Sequence, residues 1–591
     1  MIFKFGALKA CAGLVCVSFL AALGGCGSDS SASTTSSTAS SAPSSTAPSS
    51  TAPRSTAAGS TAPGSTAPSS TAPSSTASGS KAPSSTAAAP TSAGTTASSP
   101  PATAPAAPAT NAKPASTLVT GSNNGDACLP LTMPSTDTLF SSTKKVFAHY
   151  FFPFPLSIGD LAPTVDYYEK QYLTIDGESG KWVAEGGYLR QRPLGTTPSP
   201  LSNYQQLNME AEIRAAIARG ITGFTYDSMS VSDATDSTGP LQMLLAAAQA
   251  VDSRFKIVVM PDLAALGSDS AAVVQIIAAA AKSPAAYRLS DGSLVATAFD
   301  AGLNSAAWWE SVLNTLSAQG IKVAFVPTFL GWSGYAAAFA PISYGFGDWG
   351  TATAPGSSAF QSVPATVHST YGKIFMMPVD PQQYRPYEFV FAEAGNSAAF
   401  RAAWTSSIKG DSDWVQLVTW SDFSESSDVQ PYTDATLNPS IGTGYYDING
   451  YYAAWFLTGQ QPTITHDVLY YFYRREPTTA AASAQSKMDT TNGTPASDNI
   501  ELLAFLTAPG ELSITIGGKT YTQSAEAGVT SFTIPTQPGV PQFGLSRDGA
   551  VVFSFNGGVQ IYGEGGLPSK VQDLTYWSGS AAASGNCALS L

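Results

Sequence analysis

The sequence predicts an α/β fold: a (β/α)8 TIM-like barrel over residues 118–460, a β-sandwich over residues 461–591, and a disordered linker in front of both. Three observations predict it. Eight strand-like runs alternate with Ala-rich helical segments after Lys144. Aspartates recur at the ends of those runs. After about Thr458 the helical texture gives way to short alternating strands separated by Gly-rich turns.

At the N-terminus, Lys4 and Lys9 precede an apolar run from Ala10 to Leu23. That run is too short for a permanent membrane helix and reads as an export signal over residues 1–26. Its end, Leu23-Gly24-Gly25-Cys26, resembles a bacterial lipoprotein cleavage box, which would leave Cys26 as a lipid-modified first residue. A plain secretory signal is the alternative. Residues 27–117 are Ser, Thr, Ala, Pro and Gly with a recurring STAP unit. With almost no large apolar side chain they cannot offset the entropy of ordering, and they read as a tether spanning roughly 50 Å as a coil.

The first barrel strand is Lys144–Phe152, KKVFAHYFF, carrying His149 and Tyr150 toward its end. A helix over Asn208–Arg219 follows, stopped by Gly220. Further strands are expected at Gly223–Met229, Lys256–Asp262, Leu294–Asp300, Lys322–Leu330, Ile342–Trp349, Ile374–Asp380 and Val415–Phe423. Helices over Leu241–Val251, Ala271–Ala281 and Ala306–Gln319 separate several of them. Asp227, Asp262, Asp300, Asp348, Asp380 and Asp422 each fall at or near a strand's C-terminal end. In a parallel barrel those ends converge on one face, where active sites are built. Some of the six are expected to be helix N-caps instead.

Composition narrows the function. Charged residues make up 12%, about half the usual ~25%, and net charge is −13 without a basic run. Nucleic acid is excluded as a partner, because it needs clustered Lys and Arg. A surface leaning on Ser, Thr, Asn, Gln and Tyr suits a neutral polyhydroxyl ligand, so a polysaccharide substrate is expected. Contact with a membrane is expected only through the lipid anchor, giving a cell-envelope location or otherwise secretion, and the protein is read as a monomer. Three histidines without close His/Cys spacing leave little room for zinc, and no cofactor is expected; a carboxylate-bound calcium stays open. Cys128 and Cys587 bracket the folded part, and export makes a disulfide between them the expectation.

The chemistry concentrates in Val415–Ser426, VQLVTWSDFSES. Asp422 and Glu425 stand three residues apart just past a strand, so both can turn toward one cleft. Paired carboxylates are what glycosidic cleavage requires: one protonates the leaving oxygen and the other activates water or attacks the sugar. Capping of the next turn is the structural alternative. Trp420, Trp332 and Trp349 are candidate stacking platforms or core residues. His149 suits a substrate hydroxyl or a satisfied buried site, and Tyr150 beside it is a further candidate substrate contact. Tyr226 and Asp227 end the second strand; Asp348 and Asp380, with Gln383, Tyr384 and Arg385 behind the latter, could meet further hydroxyls.

With Val146-Phe147-Ala148-His149-Tyr150, Gly223-Phe224, Pro261-Asp262 and Thr419-Trp420-Ser421-Asp422-Phe423-Ser424-Glu425-Ser426 in view, the chain resembles glycoside hydrolase family 71, the α-1,3-glucanases or mutanases. The resemblance implies endo-acting, inverting hydrolysis of α-1,3-glucan in mutan or fungal walls. It puts the catalytic pair on Asp422 and Glu425 and a further essential aspartate on Asp262. Ser421, Phe423 and Ser424 stand where the family has Asn, Tyr and Gly, which leaves two alternatives: a non-catalytic surface glycan-binding lipoprotein, and a glycosidase of another linkage.

Overall fold

Strands hydrophobic on both faces need cover on both, and a parallel sheet wrapped by helices supplies it. A computed structural model describes residues 128–587, apart from 351–353, 434–441, 479–487, 564–571 and 584. The expected signal, the linker and Cys26 lie outside the described residues. Among those described, no helix is long and apolar enough to cross a membrane.

The central sheet is parallel throughout. Its strands are β1 (Lys145–Tyr150), β2 (Gly223–Ser228), β3 (Lys256–Pro261), β4 (Leu294–Ala296), β5 in two pieces (Val323–Phe325 and Thr328–Phe329), β6 (Gly345–Asp348), β7 (Ile374–Val379) and β8 (Trp414–Leu417). The sheet order runs from the first piece of β5 through β4, β3, β2, β1, β8, β7 and β6 to the second piece of β5. Its two ends are thus neighbouring pieces of one segment, separated by Val326 and Pro327. The sheet curls into a barrel-like domain.

Helices α1 (Tyr204–Ala218), α2 (Pro240–Val251), α3 (Ser270–Ala280), α4 (Ala306–Ala318), α5 (Val363–Tyr371) and α6 (Ala398–Lys409) alternate with the strands. Local chemistry starts them: Asp269 accepts from the Ala272 N–H before α3, and Ser305 from the Trp308 N–H before α4. Side chains alternate along each strand. On β1, Val146, Ala148 and Tyr150 face the helix layer, in one core cluster. Phe147 points inward and packs with Val258, Val295, Ala324, Met376 and Trp414 to fill the floor of the barrel.

Two expected strands are shorter than their sequence runs. Beyond Ala296 the bonding becomes sparse, with the Thr297 and Phe299 N–H groups donating to Val259 and Pro261 of β3 and the Thr328 N–H donating to Ala298 on the other edge. Beyond Leu417 the regular ladder ends: the Val418 and Trp420 N–H groups still donate to Val379 and His149 of the flanking strands, while the Thr419 N–H turns to Ser427. Helix α7 (Gly444–Thr458) was not expected. It is buried almost all round, so it shows no amphipathic stripe. A buried ion pair, Arg219 to Asp447 at 2.9 Å, joins the end of α1 to α7.

The C-terminal strands are β9 (Val468–Arg474), β10 (Asn499–Leu506), β11 (Gly510–Ile516), β12 (Lys519–Ala525), β13 (Gly528–Pro535), β14 (Gln542–Arg547), β15 (Ala550–Asn556), β16 (Tyr576–Ala582) and β17 (Gly585–Asn586). They form a five-stranded sheet, β13-β10-β9-β16-β17, and a four-stranded one, β12-β11-β14-β15. Leu469, Tyr471 and Tyr473 pack between the sheets with Ile514, Phe543 and Leu545. The alternate residues Val468, Tyr470 and Phe472 join the core of the barrel and α7, which explains why β9 reads as continuously apolar. β12 is largely polar and exposed and β16 carries Ser and Gly among its buried positions, so neither shows a simple apolar alternation in sequence. Cys128 and Cys587 form a disulfide, with Cα atoms 5.4 Å apart across 459 residues of chain.

Candidate active site

The carboxylates gather at one rim because parallel strands end there. Asp227 is the penultimate residue of β2, Asp348 the last of β6, and Asp262 and Asp380 directly follow β3 and β7. Asp422 and Glu425 occupy the loop after β8. Electrostatics ties them together. Burial, then the charges of Asp262, Asp422 and Asp233, raises Asp227 well above the usual carboxylate range. Burial, then Asp348 and Glu425, does the same to Asp380. Burial, with Glu425 beside it, pushes Asp422 up to about 7. Burial raises Glu425 too, opposed by Arg385 and by the Gln383 amide.

Hydrogen bonds sort these acids. Asp422 Oδ1 accepts from the Ser424 N–H at 2.9 Å, the Ser424 hydroxyl at 2.6 Å and the Glu425 N–H at 3.2 Å. It caps its own turn with one oxygen. Glu425 Oε2 accepts from Gln383 Nε2 at 2.9 Å, and Arg385 Nη1 stands 3.9 Å from Oε1. The Glu425 side chain is 19% exposed, whereas Asp422 is 7% exposed. Asp262 caps the short helix Leu263–Leu266, with Oδ1 accepting from the Ala264 and Ala265 N–H groups. Asp348 accepts from the Trp332 N–H and, through its other oxygen, the Gly350 N–H. Asp227 Oδ1 and Asp380 Oδ1 have no hydrogen-bond partner among the described residues. Asp300, in the left-handed region at φ 45°, is raised by burial.

His149 is buried and faces Asp227, its Nε2 3.9 Å from Asp227 Oδ2. Burial lowers its pKa to about 3, so the imidazole is neutral. Nδ1 lacks a partner among the described residues. The Trp349 ring meets His149 edge-on at 4.6 Å and Phe299 at 4.7 Å. Of the three candidate tryptophans, Trp349 stands beside the rim acids.

The remaining aromatic candidates need correcting. Tyr150 and Tyr226 are fully buried in the layer between strands and helices. Alternation decides it: His149 and Asp227 take the inward positions, so their neighbours take the outward ones. Trp420 is fully buried in the same layer, 5.4 Å from Phe224, and is no stacking platform. Trp332 leans on Phe375 of the outer wall at 5.7 Å.

Three residues were missed. Asp428 is 1% exposed, and neither carboxylate oxygen has a hydrogen-bond partner among the described residues. Its spacing was a signal, since 422, 425 and 428 repeat every three residues. Tyr387 is raised by burial and by the charges of Glu425 and Asp422, placing its ring near the pair. Nothing in the local pattern announced it. Glu212, in the middle of α1, is 1% exposed. Among the described residues no group of His, Cys, Asp and Glu forms a metal site.

A barrel-like α/β domain with a raised, paired set of carboxylates on its C-terminal rim has the architecture of a glycoside hydrolase. The chain belongs to glycosyl hydrolase family 71, whose model matches residues 199–590. It is 26% identical over 381 residues to the glucan endo-1,3-alpha-glucosidase agn1 of Schizosaccharomyces pombe, covering 60% of this chain and 87% of that protein. It is 23% identical over 383 residues to a mutanase of Penicillium rubens, covering 61% and 83%. Among solved structures, the GH99 endo-alpha-mannosidase of Bacteroides thetaiotaomicron aligns with TM-score 0.41 and 16% identity, covering 53% of this chain and 97% of that one.

Proposed function

We propose that the protein hydrolyses α-1,3-glucosidic linkages within glucan chains, with inversion at the anomeric carbon. The observation that carries this reading is the Asp422–Glu425 pair, raised together on the rim of a family 71 domain. Two interacting acids titrate as a unit, so the pair holds a proton at neutral pH. Glu425, the more accessible, delivers it to the departing oxygen as the C1–O bond breaks. A water attacks C1 from the opposite face and loses its proton to the partner carboxylate, for which Asp422 is our assignment. Inversion asks for a carboxyl separation of about 6.5–9.5 Å. Asp262, Asp227, Asp380, His149, Asp348 and Trp349 line the subsites around the cleaved bond.

The similarity to an S. pombe protein and a P. rubens mutanase supports α-1,3-glucan as substrate. Ser421 and Ser424 do not undo the loop: one hydroxyl bonds the Phe151 backbone and the other bonds Asp422. We read the curled sheet as a complete (β/α)8 barrel closed through residues 323–329, with the sandwich from residue 461 packing against it. Disulfide Cys128–Cys587 supports an exported protein. Lipid attachment at Cys26 and a monomeric state complete the proposal.

Proton NMR of the anomer first released from α-1,3-glucan tests this reading. The β-anomer is expected. No sugar release sinks the activity, and the α-anomer sinks inversion.

A further inference from the structure

Behind the acid-bearing loop, outside the strand wall, lies a carboxylate that the reaction does not touch. Glu212 sits in the middle of α1 and is 1% exposed. Its Oε2 accepts from the Tyr150 hydroxyl at 2.8 Å. Its Oε1 faces Trp420 Nε1 at 3.4 Å and Gln430 Nε2 at 3.2 Å. No cation pairs with it among the described residues. Burial without a counter-charge is costly, and it pushes the group up to about 7. A helix that only had to fill space here would carry a hydrophobic residue.

The three donors explain its presence. Trp420 and Gln430 form the neck of the loop that holds Asp422 and Glu425. Across that neck the Gln430 N–H donates to the Trp420 carbonyl at 2.9 Å, and the Val429 and Thr419 N–H groups donate to the Thr419 and Ser427 carbonyls at 3.0 and 2.7 Å. One Glu212 oxygen gathers both flanks of the neck. The other holds Tyr150, the residue after His149. The Trp420 N–H also donates to the His149 carbonyl at 2.8 Å. Glu212 therefore fastens the end of β1, on the Asp227 side of the site, to the loop presenting the acid. Directional hydrogen bonds in a buried polar network fix relative position more narrowly than apolar packing does.

We propose that Glu212 is a positioning residue that sets where the Asp422–Glu425 loop stands relative to the bond being cleaved. This rests on the reading of that pair as the proton-donating machinery. Misplacing an acid by even ~1 Å can cost on the order of a hundredfold; the same loop carries Asp422, so all substrates lose, and the loss is larger where the leaving group also needs a proton.

The test compares two substrates of the intact protein: α-1,3-linked gluco-oligosaccharides, whose leaving alcohol needs protonation, and the matching α-glycosyl fluorides, whose fluoride leaves with little help. E212M removes both acceptor oxygens at similar volume. It is expected to lose tenfold or more in kcat on the oligosaccharides, with KM within threefold and a loss on the fluorides at least threefold smaller. E212Q, which can accept from Trp420 and Gln430 and donate to Tyr150, is expected to recover most of the loss. If E212M does not fold, Q430M removes one donor and is expected to show the same selectivity at threefold or more. An equal loss on both substrates, or no loss, overturns the proposal. A wild-type protein inactive on both overturns the reading beneath it, and the proposal with it.

Discussion

Asp422 Oδ1 accepts the Glu425 backbone N–H at 3.2 Å, so one carboxylate of the pair holds the turn that presents the other. The same oxygen bonds Ser424 twice. Capping, set against chemistry when the stretch is read as sequence, occupies one oxygen of Asp422 and so does not exclude the chemistry proposed for the other.

This division of labour separates two kinds of substitution. D422N keeps an acceptor oxygen for the turn, and E425Q keeps the Gln383 contact, while both remove the titrating group. Each is expected to lower kcat on α-1,3-glucan by roughly 10²–10⁴-fold, read as reducing-sugar release, with no loss of thermal stability. D422A removes the cap as well and is expected to lower the melting temperature.

The raised acids make stability depend on pH in a stated direction. Asp422 titrates near 7 when folded, against an ordinary value of 3.8. A folded-state pKa above the unfolded one carries no cost below pH ~4 and destabilises progressively as pH rises toward 7. Asp227, Asp380 and Asp428 are shifted the same way. D422N is therefore expected to raise the stability at pH 7 by an amount on the order of a few kcal/mol, read as a higher melting temperature, and to leave it unchanged near pH 4. Activity should fall above about pH 7 as the pair loses the proton that Glu425 is proposed to donate. Equal melts for D422N and wild type at both pH values would contradict the assignment.

Much of this was readable from the chain, and the failures have common causes. The eight strands and the rim aspartates were legible because strand alternation and parallel ends follow from backbone geometry. Tyr150, Tyr226 and Trp420 were misread because a strand's sequence does not say which of two adjacent positions faces in when both carry aromatic or polar groups. α7 was invisible because a helix buried on all sides has no periodic contrast. Glu212 was overlooked because its three donors, Tyr150, Trp420 and Gln430, come from distant parts of the chain.

The tryptophans give a clean contrast. Trp349 packs edge-on to His149 at the mouth, and Trp420 is sealed in the wall. W349A is expected to raise KM severalfold on oligosaccharides with a small change in melting temperature. W420A leaves a large cavity and is expected to cost about 3–5 kcal/mol, measured by denaturant unfolding. The opposite pattern would return Trp420 to the substrate.

The disulfide makes the last prediction. Cys128 lies before the first strand and Cys587 follows the last, so the bond ties the start of the barrel to the end of the sandwich sheet. Both residues are buried, Cys128 at 6% and Cys587 at 3% exposure, and both sit in the core shared by the barrel and α7. Closing so long a loop restricts the unfolded chain, and removing such a bond typically costs about 2–5 kcal/mol. C128S/C587S is expected to fold, to keep kcat on α-1,3-glucan within twofold, and to melt at lower temperature. The catalytic rim is built from strand ends between residues 227 and 425, which the bond does not touch. A double variant with unchanged melting but lost activity would place the two ends of the chain in the catalytic machinery instead.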